Sequence, residues 1–454
     1  MAKYQKYAEY HDSGVEWLEQ VPKNWEIIKI KHLSSVKRGA SPRPIDDPKY
    51  FDDNGEYAWV RIADVSASDT YLLNTTQTMS DLGSSLSVKL EPNELFLSIA
   101  GTVGKPCINK IKACIHDGFV YFPDLKIPNK FLFYVFAGEQ AYKGLGKMGT
   151  QLNLNTDTVG DIKVALPKSI EDIQNIINFL DHETAKIDSL IAKQQKLIEL
   201  LKEKRQALIS HAVTKGLNPD VKMKDSGVEW LGQVPEHWTV TKIGFYTLKI
   251  GSGKTPKGGA EIYQDEGVLF IRSQNVYNDG LRIDSSESVY ISEAIHDEMA
   301  TSKVSSGDIL LNITGGSIGR SSLVPDDFPE ANVNQHVCII RVREYLREFL
   351  ASVIQSDLIQ AQIRSIQTGG NREGLNFEQI SKFSFALPPQ VEQKEIIQYI
   401  KNKLDEFQKL EDKANKAIQL MQERRTALIS SAVTGKINVT NWQHPNEAKT
   451  EFGA

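Results

Sequence analysis

The chain has 454 residues, of which 40% are hydrophobic and 24% charged, with a formal net charge of −5. That length holds two to four domains with real cores, and the acidic balance excludes a protein that coats nucleic acid by charge alone. No run of about 18 apolar residues marks a membrane span, the N-terminus lacks the apolar core of a signal peptide, and Cys107, Cys114 and Cys338, with no CxxC spacing, fit a reducing cytoplasm rather than a disulfide framework or a zinc site.

The chain opens with Asp12-Ser13-Gly14-Val15-Glu16-Trp17-Leu18, then Gln-Val-Pro and Trp25. The same words return as Asp225-Ser226-Gly227-Val228-Glu229-Trp230-Leu231, Gln-Val-Pro and Trp238. Between them lies a variable region, about 26–165, rich in strand signals. Tyr57-Ala58-Trp59-Val60-Arg61-Ile62 and Glu94-Leu95-Phe96-Leu97-Ser98-Ile99 are short aromatic or β-branched runs bounded by turn residues. Gly101-Thr102-Val103-Gly104 marks a tight turn. A second variable region, about 239–386, repeats the plan in other residues. Leu269-Phe270-Ile271-Arg272 stands for Ala58–Arg61, and Ile309–Ile313 with Gly315-Gly316-Ser317-Ile318-Gly319 stands for the Phe96 strand and its turn. Both regions close on Leu-Asn and then Ala-Leu-Pro, at Ala165–Pro167 and Ala386–Pro388.

A long amphipathic stretch follows each region, at about 170–213 and 390–433. Leu180, Thr184, Ile187, Ile191, Gln194, Ile198, Leu201, Arg205 and Leu208 alternate spacings of four and three, as a coiled-coil seam does. Leu190 and Leu197 widen the stripe. Ile400, Leu404, Phe407, Leu410, Ala414, Ile418, Met421, Arg425 and Leu428 make a matching seam. Ordinary bundle helices are the plainer reading. Two matched seams in one chain are satisfied most simply by an intramolecular antiparallel pair. Both stretches end alike, in Ala-Leu-Ile-Ser-x-Ala-Val-Thr (207–214 and 427–434). The repeat of roughly 215–220 residues marks a tandem duplication rather than a solenoid.

The motifs that suggest chemistry fail on spacing. Gly251-Ser252-Gly253-Lys254-Thr255 lacks the first glycine of a phosphate loop, since Leu248 stands there, and Pro256 follows where a helix should begin. Gly315–Gly319 lacks the dinucleotide GxGxxG spacing. The histidines form no HExxH, no GxSxG elbow is present, and no Asn- or Asp-Pro-Pro-Tyr of an amino-methyltransferase occurs. No catalytic residue and no metal site is expected.

The doubled entry motif, the Gly-Ser-Gly-Lys-Thr-Pro turn at 251–256, the glycine turns at 101–104 and 315–319, Gln151–Asn155, the Ala-Leu-Pro exits and the doubled helix ends occur in a fixed order. Together they resemble the specificity (S) subunit of type I restriction–modification enzymes over nearly the whole chain. The resemblance implies an α+β protein in which two pseudo-repeated mixed α/β target-recognition domains are separated by an antiparallel two-helix coiled coil. The implied boundaries are 1–165 for the first entry segment and domain, 166–220 for the first helix, 221–387 and 388–440 for the second set, and 441–454 for a flexible tail. Each domain would read one half of a bipartite duplex, with the coiled coil fixing the gap. A helix of about 40 residues spans about 60 Å, or one to two turns of duplex at about 34 Å each. Two modification (methyltransferase) subunits and restriction/translocase subunits are the implied partners. S-adenosylmethionine, ATP and magnesium would then sit on those partners and no cofactor on this chain.

Base reading favours Arg or Lys on guanine and Asn or Gln on adenine. The candidates beside the turns are Arg38, Arg43, Arg61, Lys105, Lys147 and Gln151 in the first domain. In the second they are Lys254, Lys257, Arg272, Gln274, Asn275, Arg320, Asn371 and Arg372. Arg61 and Arg272 share a position, which favours a common role such as a phosphate contact or an internal salt bridge. The first domain departs from the second in two places. It has Arg38-Gly39-Ala40-Ser41-Pro42 for the 251–256 turn and Cys114-Ile115-His116-Asp117 for Asn332–Gln335. A single-chain enzyme with fused recognition domains, or a coiled-coil adaptor that binds only proteins, are the rival readings.

Overall fold

The repeated Asp-Ser-Gly-Val folds twice into one turn. In a computed structural model that describes residues 4–142, 145, 154–256, 258–284, 288–367 and 374–445, Tyr10–Asp12 pairs antiparallel with Gln20–Pro22, and Met223–Asp225 pairs in the same register with Gln233–Pro235. Asp12 and Asp225 each accept the amide of the glycine two residues on, at 2.9 Å in both copies. Ser13 and Ser226 each accept the following valine amide, at 3.1 Å. The motif thus supplies its own hydrogen bonds, as Asx and Ser turns do.

The chain divides into two units, one of residues 1–194 with 415–454 and one of residues 195–414. In the first, Lys37–Arg38, Phe119–Tyr121, Leu95–Ser98, Pro106–Asn109 and Tyr71–Leu72 form a five-stranded sheet in that order. Gln77–Met79, Tyr57–Val60, Ala113–Ile115 and Val88–Leu90 form a second sheet, whose central pair is parallel with Ala58 opposite Ala113. The other unit repeats this order with one strand fewer in each sheet. Thr247–Ser252, Val337–Val342, Ile309–Asn312 and Ser321–Leu323 form one sheet, and Tyr290–Ile291, Val268–Ile271 and Ala331–Val333 the other. Its parallel pair sets Leu269 opposite Ala331, so the register is the same as in the first unit. In each unit a two-stranded exit sheet, Lys163–Pro167 on Trp25–Lys29 or Ser384–Leu387 on Thr239–Lys242, closes the domain.

The Leu95–Ser98 and Ile309–Asn312 strands are buried along their whole length. Leu95 and Leu97 enter the core shared with the long helices, while Phe96 enters a separate core with Val60 and Ile115. Ile309 and Leu311 likewise face the helices, and Leu310 faces the core with Ile271 and Val333. A strand covered on both faces reads as a continuous apolar run rather than an alternating one.

The long helices are Ile170–Lys215, 46 residues, and Gln390–Val433, 44 residues. Within the unit of residues 195–414, Arg205 lies 3.9 Å from Glu411 and a side chain at Gly216 would meet Glu392, so the two helices run antiparallel there. Within the other unit, Arg425 Nε donates to Asp188 at 2.8 Å and Asn175 donates to the Thr440 carbonyl. Leu180, Ile187, Leu201, Ile400, Phe407 and Leu428 are buried, and Ile191, Ile198, Leu208, Leu404, Ile418 and Met421 are half-buried. Leu410, expected in the seam, is 45% exposed, and Leu190 and Leu197 are 49% and 40% exposed, so the stripe is not widened as the spacing of those two suggested. They sit beside the seam, and a two-stranded seam covers only a narrow face.

The repeated helix end docks on the repeated entry. Ile429, Ala432 and Val433 pack with Leu18, Val21 and Trp25. Ile209, Ala212 and Val213 pack with Leu231, Val234 and Trp238. The first helix therefore ends on the second entry and the second helix on the first entry, which brings the end of the chain back to its start. Asn438 N donates to the Gln5 carbonyl at 2.8 Å, and Tyr10 Oη to the Gly435 carbonyl at 3.0 Å. Trp442, in the segment expected to be a flexible tail, packs edge-on against Phe179.

Gly435 has φ +70°, and a Cβ there would lie 2.4 Å from the Pro22 ring. Gly14 has φ +61° but open space around it. Gly14→Ala is expected to cost about 1 kcal/mol of backbone strain, and Gly435→Ala about 3 kcal/mol because overpacking is added. Urea unfolding of the two variants checks the difference, and equal losses would remove the docking contact from the account.

Candidate nucleic-acid interface

Parallel strands place their carboxyl ends on one side, and the loops leaving those ends collect there. In the first domain the Tyr57–Val60 strand exits at Arg61 and the Ala113–Ile115 strand at His116 and Asp117. The Gly39 turn is pressed against this exit, since a Cβ at Gly39 would lie 2.1 Å from the His116 carbonyl oxygen. Gly253 meets the Val333 carbonyl at 1.5 Å in the same way in the second domain. Glycine is required there by protein backbone, and among the described residues only a short 3-10 turn, Gly259–Ile262, follows Gly253.

The first-domain candidates converge on this edge. Arg38 Nε donates to the Asp117 carbonyl at 2.5 Å, and Arg43 lies 3.2 Å from the Asp117 carboxylate. Arg61 donates to the side chain of Gln77, and its backbone amide donates to Asp64 at 2.9 Å. Lys105 Nζ donates to the Ser66 carbonyl at 2.8 Å, and partial burial holds its ammonium below the ordinary lysine range. A cleft of about 700 Å³ opens between Ser41, Phe51, Trp59, Arg61, Gln77 and Asp117. Lys147 and Gln151 lie outside the described residues.

The second domain builds the same edge with other groups. Arg272 N donates to Asn275 Oδ1 at 2.9 Å, matching the Arg61–Asp64 bond. The Arg272 guanidinium lies 5.8 Å from the centre of the Tyr263 ring. Asn275 is only 2% exposed, and its amide donates to the Arg282 carbonyl at 2.8 Å. Its side chain is spent on closing this turn, which corrects its place among the base-reading candidates. Gln274 and Lys254 are exposed, and so is Arg320, whose guanidinium lies 5.0 Å from the Tyr277 ring centre. Lys257, Asn371 and Arg372 lie outside the described residues.

Sequence reasoning missed a polar chain across this edge. Thr255 donates to Gln335 at 2.6 Å, Gln335 bonds His336 at 2.8 Å, and His336 bonds Thr314 at 2.6 Å. The chain links the 251–256 turn to the 315–319 turn. Register puts Gln335 where the first domain has Asp117, so in both domains this position ties down the glycine turn. The signal was the mismatch between His116-Asp117 and Asn334-Gln335, which is where the two domains build one contact from different residues. Among the described residues nothing lies within 4 Å of an added Cβ at Gly315 or Gly316, and Gly315 has a left-handed φ of +72°. That is the place where another molecule's backbone could approach closely.

Among the described residues no group of three or more His, Cys, Asp or Glu could hold a metal ion, and no helix is long and apolar enough to cross a membrane.

The model of the type I restriction modification DNA specificity domain matches residues 22–200 and again 235–420. The chain belongs to this family. Each match runs from an entry Val-Pro or Trp through one domain into one long helix, so the repeat seen in the fold is the family's repeat. The candidate edge therefore lies on specificity domains that recognise DNA sequence. The EcoBI specificity subunit of Escherichia coli is 26% identical over 307 residues, covering 65% of this chain and 63% of that protein. The MjaIX specificity subunit of Methanocaldococcus jannaschii is 21% identical over 454 residues, covering 97% and 99%. A solved chain, described under complex assembly and conformational transition of the type I R-M system, matches with a TM-score of 0.64 at 13% identity. It covers 91% of this chain and 98% of its own, and shows the shared fold.

His116 holds the loop at the end of its strand by accepting the Gly118 amide at Nδ1, 2.9 Å away. Asn334 accepts the His336 amide in the same way at 3.1 Å. Burial pushes the His116 imidazole below its usual 6.5, against the weaker pull of Asp117. The neutral ring is thus favoured in the folded protein, and stability from this group is full above pH 6.5 and is lost as pH falls through the depressed value. His116→Asn, which installs the second domain's residue, is expected to flatten this acid-side loss. Thermal unfolding followed across that window checks it, and an unchanged pH profile would refute the assignment.

Proposed function

We propose that this chain is the DNA-specificity subunit of a type I restriction–modification complex, with each domain reading one half of a bipartite site. The observation that carries this is the pairing of one shared frame with two unlike edges. The two domains share the order of their common strands and the register of the parallel pair. Their edges carry different residues at matched places, with Asp117 against Gln335 at the rim and His116 against Asn334 capping the turn beneath it. A conserved scaffold under two different surfaces suits recognition of two different half-sites.

The antiparallel helices would set the distance between the half-sites. Helices of this length are about 65–70 Å long and carry no glycine or proline in their interiors to bend them. Two modification subunits would dock on the repeated frame and methylate adenine in each half, and a restriction/translocase subunit would join them. The chain itself would be non-catalytic, with S-adenosylmethionine, ATP and magnesium held by those partners. Its acidic net charge is then tolerable, because partner subunits would supply much of the phosphate contact.

The test is reconstitution of the chain with its modification subunits, followed by mapping of methylated adenines on genomic DNA. A split motif with methyladenine in both halves is the expected result. A contiguous motif would defeat the bipartite reading, and methylation or cleavage by the chain alone would favour the enzyme alternative. Gln274→Ala, at an exposed position outside any shared contact, is expected to relax discrimination at one half-site by about 1–3 kcal/mol. Arg272→Ala is expected to weaken binding to every target alike, because its position is shared with Arg61. Competition binding across a panel of base-substituted duplexes separates the two behaviours.

A further inference from the structure

The second domain carries an aromatic and arginine cluster at a place where the first domain has Ser66. Tyr277 ends the short strand that follows the Arg272 turn and pairs with Gly280–Leu281 in a hairpin. Two guanidinium groups lie against its ring, Arg282 at 5.1 Å and Arg320 at 5.0 Å from the centroid. Their carbons are therefore within about 10 Å of each other, a span in which duplex DNA presents several phosphates. Both arginines are exposed, and Arg282 Nη2 donates to the Asp279 carboxylate at 2.7 Å.

Counting from the shared arginine, Tyr277 occupies the place of Ser66, since Val276 and Val65 before them are both fully buried. Arg320 occupies the place of Lys105. Each follows a glycine of left-handed φ, +87° at Gly319 and +86° at Gly104. Lys105 reaches over to the Ser66 carbonyl and Arg320 to the Tyr277 ring. A cation in this place in two domains with unlike surfaces does not encode either sequence. It suits the feature common to both half-sites, the phosphate backbone.

We propose that Tyr277 preorganises Arg282 and Arg320 as a two-arginine phosphate clamp, matched in the first domain by the single cation Lys105. The clamp rests on the DNA-recognition reading above. A ring face holds a guanidinium by cation–π attraction while leaving its N–H edge directed outward. Holding the side chain this way reduces the entropy lost on binding. Arg320 then positions the duplex rather than reading a base, and the second domain contributes more of the salt dependence than the first.

The experiment uses the full chain with its modification subunits. The probes are a labelled duplex carrying the methylated motif and its single-base variants, titrated at several salt concentrations. Arg282→Gln and Arg320→Gln are each expected to reduce the slope of log K against log salt by about 0.9, equally on every duplex. Lys105→Gln should do the same. Tyr277→Leu should weaken binding several-fold, and Tyr277→Phe, which keeps the ring, should not. Unchanged slopes in both arginine variants, or a loss confined to one base position, would overturn the clamp. Failure of the unmutated complex to bind any duplex would instead overturn the DNA-recognition reading itself.

Discussion

The contact between helix end and entry turn is the constraint on which the rest depends. Each long helix presents a short aliphatic face, Ile209, Ala212 and Val213 or Ile429, Ala432 and Val433, to a buried leucine, valine and tryptophan of an entry hairpin. Because the first helix takes the second entry and the second helix takes the first, neither repeat can complete its core from its own sequence. Unit 1 is built from both ends of the chain. This interlock explains why the entry and the helix end are the segments that kept their wording, since each must fit two neighbours at once.

The variable regions are free of that demand, and they diverged. What they kept is backbone geometry: a parallel pair, a carbonyl pressed on a glycine, and a side chain that accepts an amide two residues on. Different residues satisfy each requirement. His116 and Asn334 cap the same turn, and Asp117 and Gln335 secure the same neighbouring loop. An edge organised this way can change its outward residues without altering the register of the parallel pair, because the buried Phe96 and Leu310 strands bear the packing.

The charges at the edge are restrained rather than free-standing. Arg61 bonds Gln77, Lys105 bonds a carbonyl, and Arg282 and Arg320 lie on a ring. Groups held in place before a ligand arrives lose less conformational freedom when it binds. A chain with a negative total charge thereby keeps small, oriented cationic features, and local geometry outweighs the net balance.

The sequence by itself determined the duplication, the two long helices, the strands at 57–60 and 268–271, and the matching of Arg61 with Arg272, while the parallel pairing of those strands came from the fold. These follow from periodicity and repeated wording, which are local properties of the chain. It also marked the glycine turns, but not what each glycine serves. Gly253 is crowded by Val333, whereas among the described residues nothing crowds Gly315 or Gly316, and only a neighbour distant in sequence separates the two cases. The burial of Asn275, the exposure of Leu190 and Leu197, the Thr255–Gln335–His336–Thr314 chain and the Tyr277 cluster were likewise decided by tertiary structure. A side chain's role depends on which atoms surround it, and those atoms come from strands, turns and helix ends that only the folded chain brings together.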